Sequence, residues 1–466
     1  MIDKIVSVAN SIIWSPALVA LLVGAGLYFS IRTRFVQVRR FGLMIRSLFA
    51  PKEKSEEGGK HGISSFEAFC VALSGRVGTG NIVGVATAIA LGGPGAVFWM
   101  WLIAFFGAST AFVESTLAQK YKFHHATGFR GGPASYIEKG LKLPWLGIVF
   151  SVCCIFGYGL FLAPVQSNGM TGALSNSFGI NPLYSGLALA FLLALVIIGG
   201  IKSISRVASI ITPFMALGYL VITVIVLAHN INTIPHVLKM IVTSAIGLQQ
   251  VAGGILGSTI MMGVKRGIFS NEAGQGGGAI VSASAAVSHP AKQGLAQAFS
   301  VYVDTLLICT ATALMILCSG TYNILDAKTG EILVAGDPSL GANYVGYTQA
   351  AVDSVLSGFG STFVSIAMVF FVFTTIMAYY FYGESSIMHI FEHKANSAKA
   401  EKALIWVFRI ALLAMVVFGS VREANVIWTL GDVGVGLTAW INVIALLLLC
   451  PEAVNLLRDY EKSLKK

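Results

Sequence analysis

Stretches of about 18 or more mostly apolar residues recur from one end of this chain to the other, and each is long enough to cross a hydrocarbon core of roughly 30 Å as a helix. Lipid is therefore the solvent that the fold must satisfy. The balance of side chains agrees: 56% of the 466 residues are hydrophobic and 11% are charged, against about a quarter charged in a soluble domain. One integral membrane unit is expected, not a series of soluble domains. The first stretch, near 11–30, contains Trp14 and Pro16, and Arg32, Arg34, Arg39 and Arg40 follow it with no Ala-x-Ala cleavage pattern. It reads as a retained span instead of a signal peptide.

About eleven spans are expected, at 8–30, 64–91, 95–119, 146–164, 184–200, 207–229, 246–279, 294–318, 361–382, 404–420 and 427–450. With the N-terminus outside, the connections at 31–61, 120–143, 201–206, 280–293 and 383–403 and the C-terminal tail all face the cytoplasm. They hold most of the cationic residues, among them Arg46, Lys52, Lys54, Lys60, Lys120, Lys122, Arg130, Lys139, Lys142, Lys202, Arg206, Lys394, Lys399, Lys402, Lys465 and Lys466. The opposite connections carry few, notably Lys239, Lys328 and Arg422. An excess of Lys and Arg on the inner side fixes this orientation. It also accounts for the net charge of +10 without a nucleic acid partner. Within the long external connection at 319–360, residues 343–356 read as a short surface or re-entrant helix, either an outer gate or a passive filler. Cys70, Cys153, Cys154, Cys309, Cys318 and Cys450 lie in or at the ends of spans with no paired CxxC spacing, so free buried thiols are expected.

Most of the 51 glycines sit within spans, where small residues let helix backbones approach closely. Two clusters differ because they mix glycine with polar side chains in mid-membrane: Ser74-Gly75-Arg76-Val77-Gly78-Thr79-Gly80-Asn81 and Arg266-Gly267-Ile268-Phe269-Ser270-Asn271-Glu272-Ala273-Gly274. Each glycine weakens a helix by about 1 kcal/mol relative to alanine, and unpaired backbone groups in lipid cost several more. A break at this depth survives where it lines a cavity and its freed amides and carbonyls act as ligands. The half-helix that starts near Gly80 points amides and a positive dipole end at an incoming carboxylate. The half that ends at Ser74 and Val77 offers hard carbonyl oxygens to an alkali cation. Paired interruptions in two halves of a chain point to an inverted-repeat transporter. With the leading span set aside, spans two to six and seven to eleven form two halves of five, each opening on its broken helix.

The runs Val77-Gly78-Thr79-Gly80-Asn81-Ile82-Val83-Gly84-Val85-Ala86-Thr87, Gly92-Gly93-Pro94-Gly95-Ala96-Val97-Phe98-Trp99-Met100-Trp101 and Ile268-Phe269-Ser270-Asn271-Glu272-Ala273-Gly274 make the chain resemble the alanine or glycine:cation symporter family over nearly its whole length. The resemblance implies an all-α integral membrane protein with a five-plus-five inverted-repeat (LeuT-like) core and one extra N-terminal helix. The divisions expected are 1–60 (extra helix and basic connection), 61–230 (first repeat), 231–455 (second repeat) and 456–466 (cytoplasmic tail). It further implies uptake of a small neutral amino acid such as alanine or glycine with sodium as the coupling ion. No organic cofactor, obligate protein partner or nucleic acid is expected, and the lipid bilayer is the surroundings. Gly78, Thr79, Gly80 and Asn81 would then meet the substrate carboxylate, and Phe269, Ser270 and Asn271 its ammonium group, with Gln166 completing the polar shell. Sodium would take the carbonyls of Ser74 and Val77 and the hydroxyls of Thr374 and Thr375. Arg76 stands where related transporters often have a small residue near a second sodium, so one sodium is expected.

Two rival classes follow from other residues. Glu67, Glu114, Glu272, Asp304, Glu384 and Asp432 lie in or near spans, where a carboxyl group is costly and hence a functional candidate. Glu272 and Asp304 raise coupling to protons as the alternative. His389-Ile390-Phe391-Glu392-His393 has the H-x-x-E-H spacing of a metallopeptidase group, but a catalytic zinc needs a third ligand and an open water position, and the sequence offers no evident third partner. The run Gly274-Gln275-Gly276-Gly277-Gly278 lacks the Gly-Lys-Ser/Thr ending of a phosphate loop and reads as a flexible helix end.

Overall fold

The computed structural model describes residues 2–52, 62–247, 255–326, 329–393 and 397–464. Lys54, Lys60, Lys328, Lys394, Lys465 and Lys466, used above to orient the chain, lie outside them, as does part of the expected 246–279 span. Among the described residues the fold is helical apart from two small hairpins, Phe123–His125 with Gly128–Arg130 and Asn323–Leu325 with Ile332–Ala335.

Among the described residues, seven helices are long and apolar enough to cross a membrane: Gly95–Lys120, Pro144–Phe178, Gly200–His229, Pro290–Ser319, Gly360–Phe391, Ala398–Val421 and Ala424–Ser463. Two bent pairs, Val6–Ile13 with Pro16–Arg32 (41°) and Ser65–Arg76 with Gly80–Gly92 (51°), raise the number to nine if each pair is one span. Pro182–Ile197 is a shorter apolar helix. The chain is thus a multi-pass membrane protein. Its lipid-facing surface is plain on Gly200–His229, where Ile210, Phe214, Leu217, Val221 and Val224, three or four residues apart on one face, are 59 to 71% exposed.

Gly95–Lys120 is the central post. Pro290–Ser319, Ile255–Asn271 and Pro16–Arg32 all pack on it, and small residues permit the approach. Gly294 stands against Phe112, a Cβ on Gly107 would lie 3.0 Å from Ala273, and Gly26 meets Phe106. Ser30 and Ser109 share a hydrogen bond of 2.9 Å across the third of these contacts.

Several boundaries depart from the hydropathy reading for physical reasons. The helix expected at 146–164 runs from Pro144 to Phe178, because Gln166, Ser167 and Thr171, which end the apolar run, point inward and are buried. The last helix continues through Pro451 to Ser463. Lys202 and Arg206 belong to the first turns of Gly200–His229, not to a connection. The expected connection after 229 contains the helix Ile234–Ala245. The short helix expected at 343–356 is present as Tyr344–Asp353, packed between Gly360–Phe391, Val85–Gly92 and Thr310–Ser319. All six cysteines are unpaired, and all but the half-buried Cys153 are buried.

Candidate functional site

The first interrupted helix begins at a capping box, in which Ser64 Oγ accepts from Glu67 N–H (3.1 Å) and Glu67 Oε2 accepts from Ser64 N–H (2.7 Å). Its first half stops at Arg76. Val77 is extended (φ −81°, ψ 91°), and the chain resumes through a wide turn, Gly80–Gly84, that leads into Val85–Gly92. The freed amides find side chains. Gly78 N–H donates to Asn81 Oδ1 (2.8 Å), and Thr79 N–H and O–H both donate to Gln166 Oε1 (2.9 and 3.0 Å). Gln166 Nε2 in turn reaches the Tyr379 hydroxyl at 3.4 Å.

The freed carbonyls face the other way. Thr375 Oγ1 lies 2.8 Å from Ser74 O, 3.1 Å from Val77 O and 2.8 Å from Phe371 O. A hydroxyl has one proton, so this buried cluster holds more oxygen lone pairs than donors, the environment that a hard cation completes. Of the four residues that the resemblance implied for sodium, Ser74, Val77 and Thr375 lie together, whereas Thr374 does not join them. Its hydroxyl donates back to Phe370 O or Phe371 O (3.0 and 3.1 Å) and sits 3.8 Å from Met215 Sδ on the neighbouring face.

The second interruption separates Ile255–Asn271 from Gly277–Ala283. Glu272, Gly274 and Gly276 have φ of 54°, 86° and 98°, and a non-glycine residue in that region is uncommon enough to mark a constrained site. Fixed side chains clamp this loop. Gly274 N–H and Asn442 Nδ2 each donate to Glu114 Oε2 at 3.2 Å, Asn442 Nδ2 also donates to Gly274 O (2.9 Å), and Tyr136 O–H donates to Asn442 Oδ1. Gln275 Nε2 caps Ile268 O (2.6 Å), and Tyr382 O–H reaches Glu272 Oε2 (3.2 Å).

The two interruptions meet at Gly80, where a Cβ would lie 3.2 Å from the Phe269 ring and 3.4 Å from Ser270 Cα. Asp304 ties them: Asn81 Nδ2 donates to its Oδ1 (2.6 Å), Ser270 O–H lies 3.0 and 3.1 Å from its two oxygens, and Thr305 O–H is at 2.6 Å. Cys309 Sγ lies 3.3 Å from Asn81 Nδ2 and 3.2 Å from Ser270 Oγ. The Phe269 ring packs 5.1 Å from Trp428 and beneath the Arg266 guanidinium, which bonds Asp432 at 2.8 Å.

Gly78, Thr79, Gly80, Asn81, Gln166, Phe269 and Ser270 are thus gathered in one buried region. Asn271 is not among them, since its Oδ1 accepts from Ala273 N–H (3.0 Å) and its amide lies beside Gly107. Arg76 crosses to Pro290–Ser319, with Nη1 at Gln297 O (3.3 Å), Gln297 Oε1 (3.2 Å) and Ser300 Oγ. Tyr379, Trp428 and Asn442 escaped the sequence reading. Asn442 left a usable signal, a lone amide within the apolar run 439–450, where a polar side chain is costly unless it is engaged.

The model of the sodium:alanine symporter family matches residues 1–466. This chain belongs to that family. It is 48% identical over 466 residues to the putative sodium/proton-dependent alanine carrier protein YrbD of Bacillus subtilis, covering all of this chain and 94% of that one. The probable sodium/glutamine symporter GlnT of the same organism is 43% identical over all of this chain and 92% of its own. The sodium/alanine symporter AgcS of Methanococcus maripaludis is 36% identical over 97% of this chain and 96% of its own. Among solved structures, the substrate-bound outward-open state of a Na+-coupled sialic acid symporter superposes with a TM-score of 0.50 over 96% of this chain and 85% of that one at 13% identity, a likeness of fold alone.

Proposed function

We propose that this member of the family takes up a small neutral amino acid, alanine or glycine, together with sodium by alternating access, and that both are held at the first interruption. The observation that carries the reading is the division of labour around Val77 to Gly80. On one side Thr79 aims an amide and a hydroxyl at a single oxygen, that of Gln166, in the manner that would hold a carboxylate oxygen. On the other side Thr375 joins two helix-end carbonyls in a proton-poor oxygen cluster. When the substrate enters, its carboxylate takes over the Thr79 donors, and the Gln166 carboxamide rotates to offer Nε2. The ammonium group turns to the second interruption, toward Ser270 and the carboxylate of Asp304.

Small size follows from the walls. A Cβ on Gly78 would lie 2.5 Å from Gln166 Oε1 and 2.7 Å from Thr375 Oγ1, and the Phe269 ring closes over Gly80. The eleven-span count, with halves at 61–230 and 231–455 after an extra leading helix at 1–60, is part of this proposal, as are the external N-terminus and the cytoplasmic tail at 456–466. The Pro182–Ile197 helix and the Ile255–Asn271 and Gly277–Ala283 pair would add the two spans beyond nine.

A second reading, with protons as the coupling ion, is favoured by Asp304, which is fully buried and bonded to both interruptions, and relatives carry names that couple sodium and proton to alanine. Competition against labelled alanine at fixed sodium by glycine, serine, glutamine and glutamate tests the substrate class. Strong competition by glycine and little by glutamine is expected. Preference for glutamine would overturn the small-substrate proposal.

A further inference from the structure

The geometry points to a second metal site, distinct from the interruptions: a divalent transition-metal ion, with zinc as its probe, held by Glu138, His389 and Glu392, and restraining transport when bound. The His389-Ile390-Phe391-Glu392-His393 run lacked a third partner in the sequence, and the fold supplies one from another helix. Glu138 sits on Pro133–Leu141, and the ligand atoms of Glu138, His389 and Glu392 all lie within 4.8 Å of one another. His389 is fourteen residues beyond Thr375 on the same helix, roughly 21 Å along its axis, so the cluster is separate from the oxygen cluster described above.

Polar atoms in this cluster are arranged for a cation. His389 is buried to 4% exposure, and Ser151 Oγ fixes its Nδ1 at 3.1 Å, leaving Nε2 to face the cluster. Nε2 lies 2.7 Å from Glu138 Oε2 yet outside hydrogen-bonding geometry, and the buried Oε2 of Glu392 has no hydrogen-bond partner either. A buried oxygen normally makes a hydrogen bond, because unpartnered buried polar atoms are costly, and Glu392 Oε2 thus lacks the one expected of it. The remaining oxygens are oriented from outside: His393 Nε2 holds Glu138 Oε1 at 2.6 Å, and Lys139 Nζ holds Glu392 Oε1 at 2.7 Å. Outer partners that aim carboxylates are a regular part of metal sites. One imidazole and two carboxylates suit zinc or a neighbouring transition ion better than magnesium or calcium, which take oxygen alone. A surface cavity of about 390 Å³, lined by His124, Met388, Phe391 and Glu392 among others, opens beside the Glu392 side of the cluster.

The consequence for transport comes from what the three ligands join. Pro133, at the start of the Glu138 helix, packs against Gly276 in the second interruption. His389 and Glu392 end the helix that carries Thr375. An ion bound across them ties a support of one interruption to the helix that completes the cation cluster at the other. On the alternating-access reading proposed above, in which these two elements move relative to one another, occupancy holds them together and slows uptake without any catalytic step.

Equilibrium dialysis of the chelator-stripped, detergent-purified protein against zinc, with metal counted per chain, tests the site directly. One zinc per chain is expected, with at least a tenfold loss of affinity in Glu392→Gln and a smaller loss in His393→Ala. Absence of stoichiometric zinc, or equal affinity in both variants, would overturn the site. In proteoliposomes, zinc is expected to slow alanine uptake by the unaltered protein and to leave Glu392→Gln, whose zinc-free uptake is expected to match that of the unaltered protein, unaffected. Bound zinc with unchanged uptake would overturn the restraint. The dialysis needs no transport, so failure of the metal site and failure of the proposed function are separable. Should Glu392→Gln fail to fold, Glu138→Gln, which removes another of the three ligands, is compared with His393→Ala in its place, with the same tenfold loss expected.

Discussion

Thr374 and Thr375 are adjacent in the chain, but their hydroxyls serve different neighbours. Successive helix residues are rotated by about 100°, so Thr375 faces Ser74 O and Val77 O while Thr374 faces Met215 and bonds its own helix. Thr375→Val removes the one side-chain oxygen of the cluster. The sodium concentration for half-maximal alanine uptake is expected to rise at least tenfold, the scale of about 1.4 kcal/mol. Thr374→Val should stay within about threefold, since it loses only a back-bond to the helix. Sodium titrations of initial uptake rates by the two variants make this check, and equal effects would refute the assignment of the cluster to Thr375. The pair shows what was legible at this scale. The family resemblance pointed to this turn of helix, but which of two neighbours faces the break depends on a rotation set by packing. The same holds for Ser270 and Asn271, of which the first reaches Asp304 and the second turns to Ala273.

At the scale of elements, both interruptions were legible because glycine among polar residues has no other cheap reading in mid-membrane. What holds the second one open was not. Glu114, Tyr136 and Asn442 come from three other helices, with Asn442 lying 328 residues from Glu114 and 168 from Gly274, and no local pattern records such a meeting. Helix ends were misread for a related reason: hydropathy treats an inward polar residue such as Gln166 as an end, although the helix continues past it to Phe178. Asn442→Leu would leave Gly274 O and Glu114 Oε2 short of a buried donor, at a cost of about 2–4 kcal/mol. The apparent melting midpoint in detergent should fall by several degrees, and uptake should fall with it. A variant as stable as the parent would show that the clamp does not support the loop.

For the whole molecule, the distribution of Lys and Arg and the lipid-facing rows together require a defined orientation. With Ser463→Cys near the C-terminus, proposed to be cytoplasmic, and Ala335→Cys in the Asn323–Leu325 and Ile332–Ala335 hairpin, proposed to be external, a membrane-impermeant maleimide should label 335 on intact cells and 463 only after permeabilisation. The reverse pattern would invert the proposed topology. The central claim is that one interruption grips substrate and sodium together, and it is tested most directly by alanine uptake into proteoliposomes of the purified protein under an inward sodium gradient at equal pH on both sides. Concentrative uptake is predicted, lost when sodium is replaced by potassium and greatly weakened in Thr375→Val at low sodium. Accumulation driven by a pH gradient alone, undiminished in the absence of sodium, would contradict it.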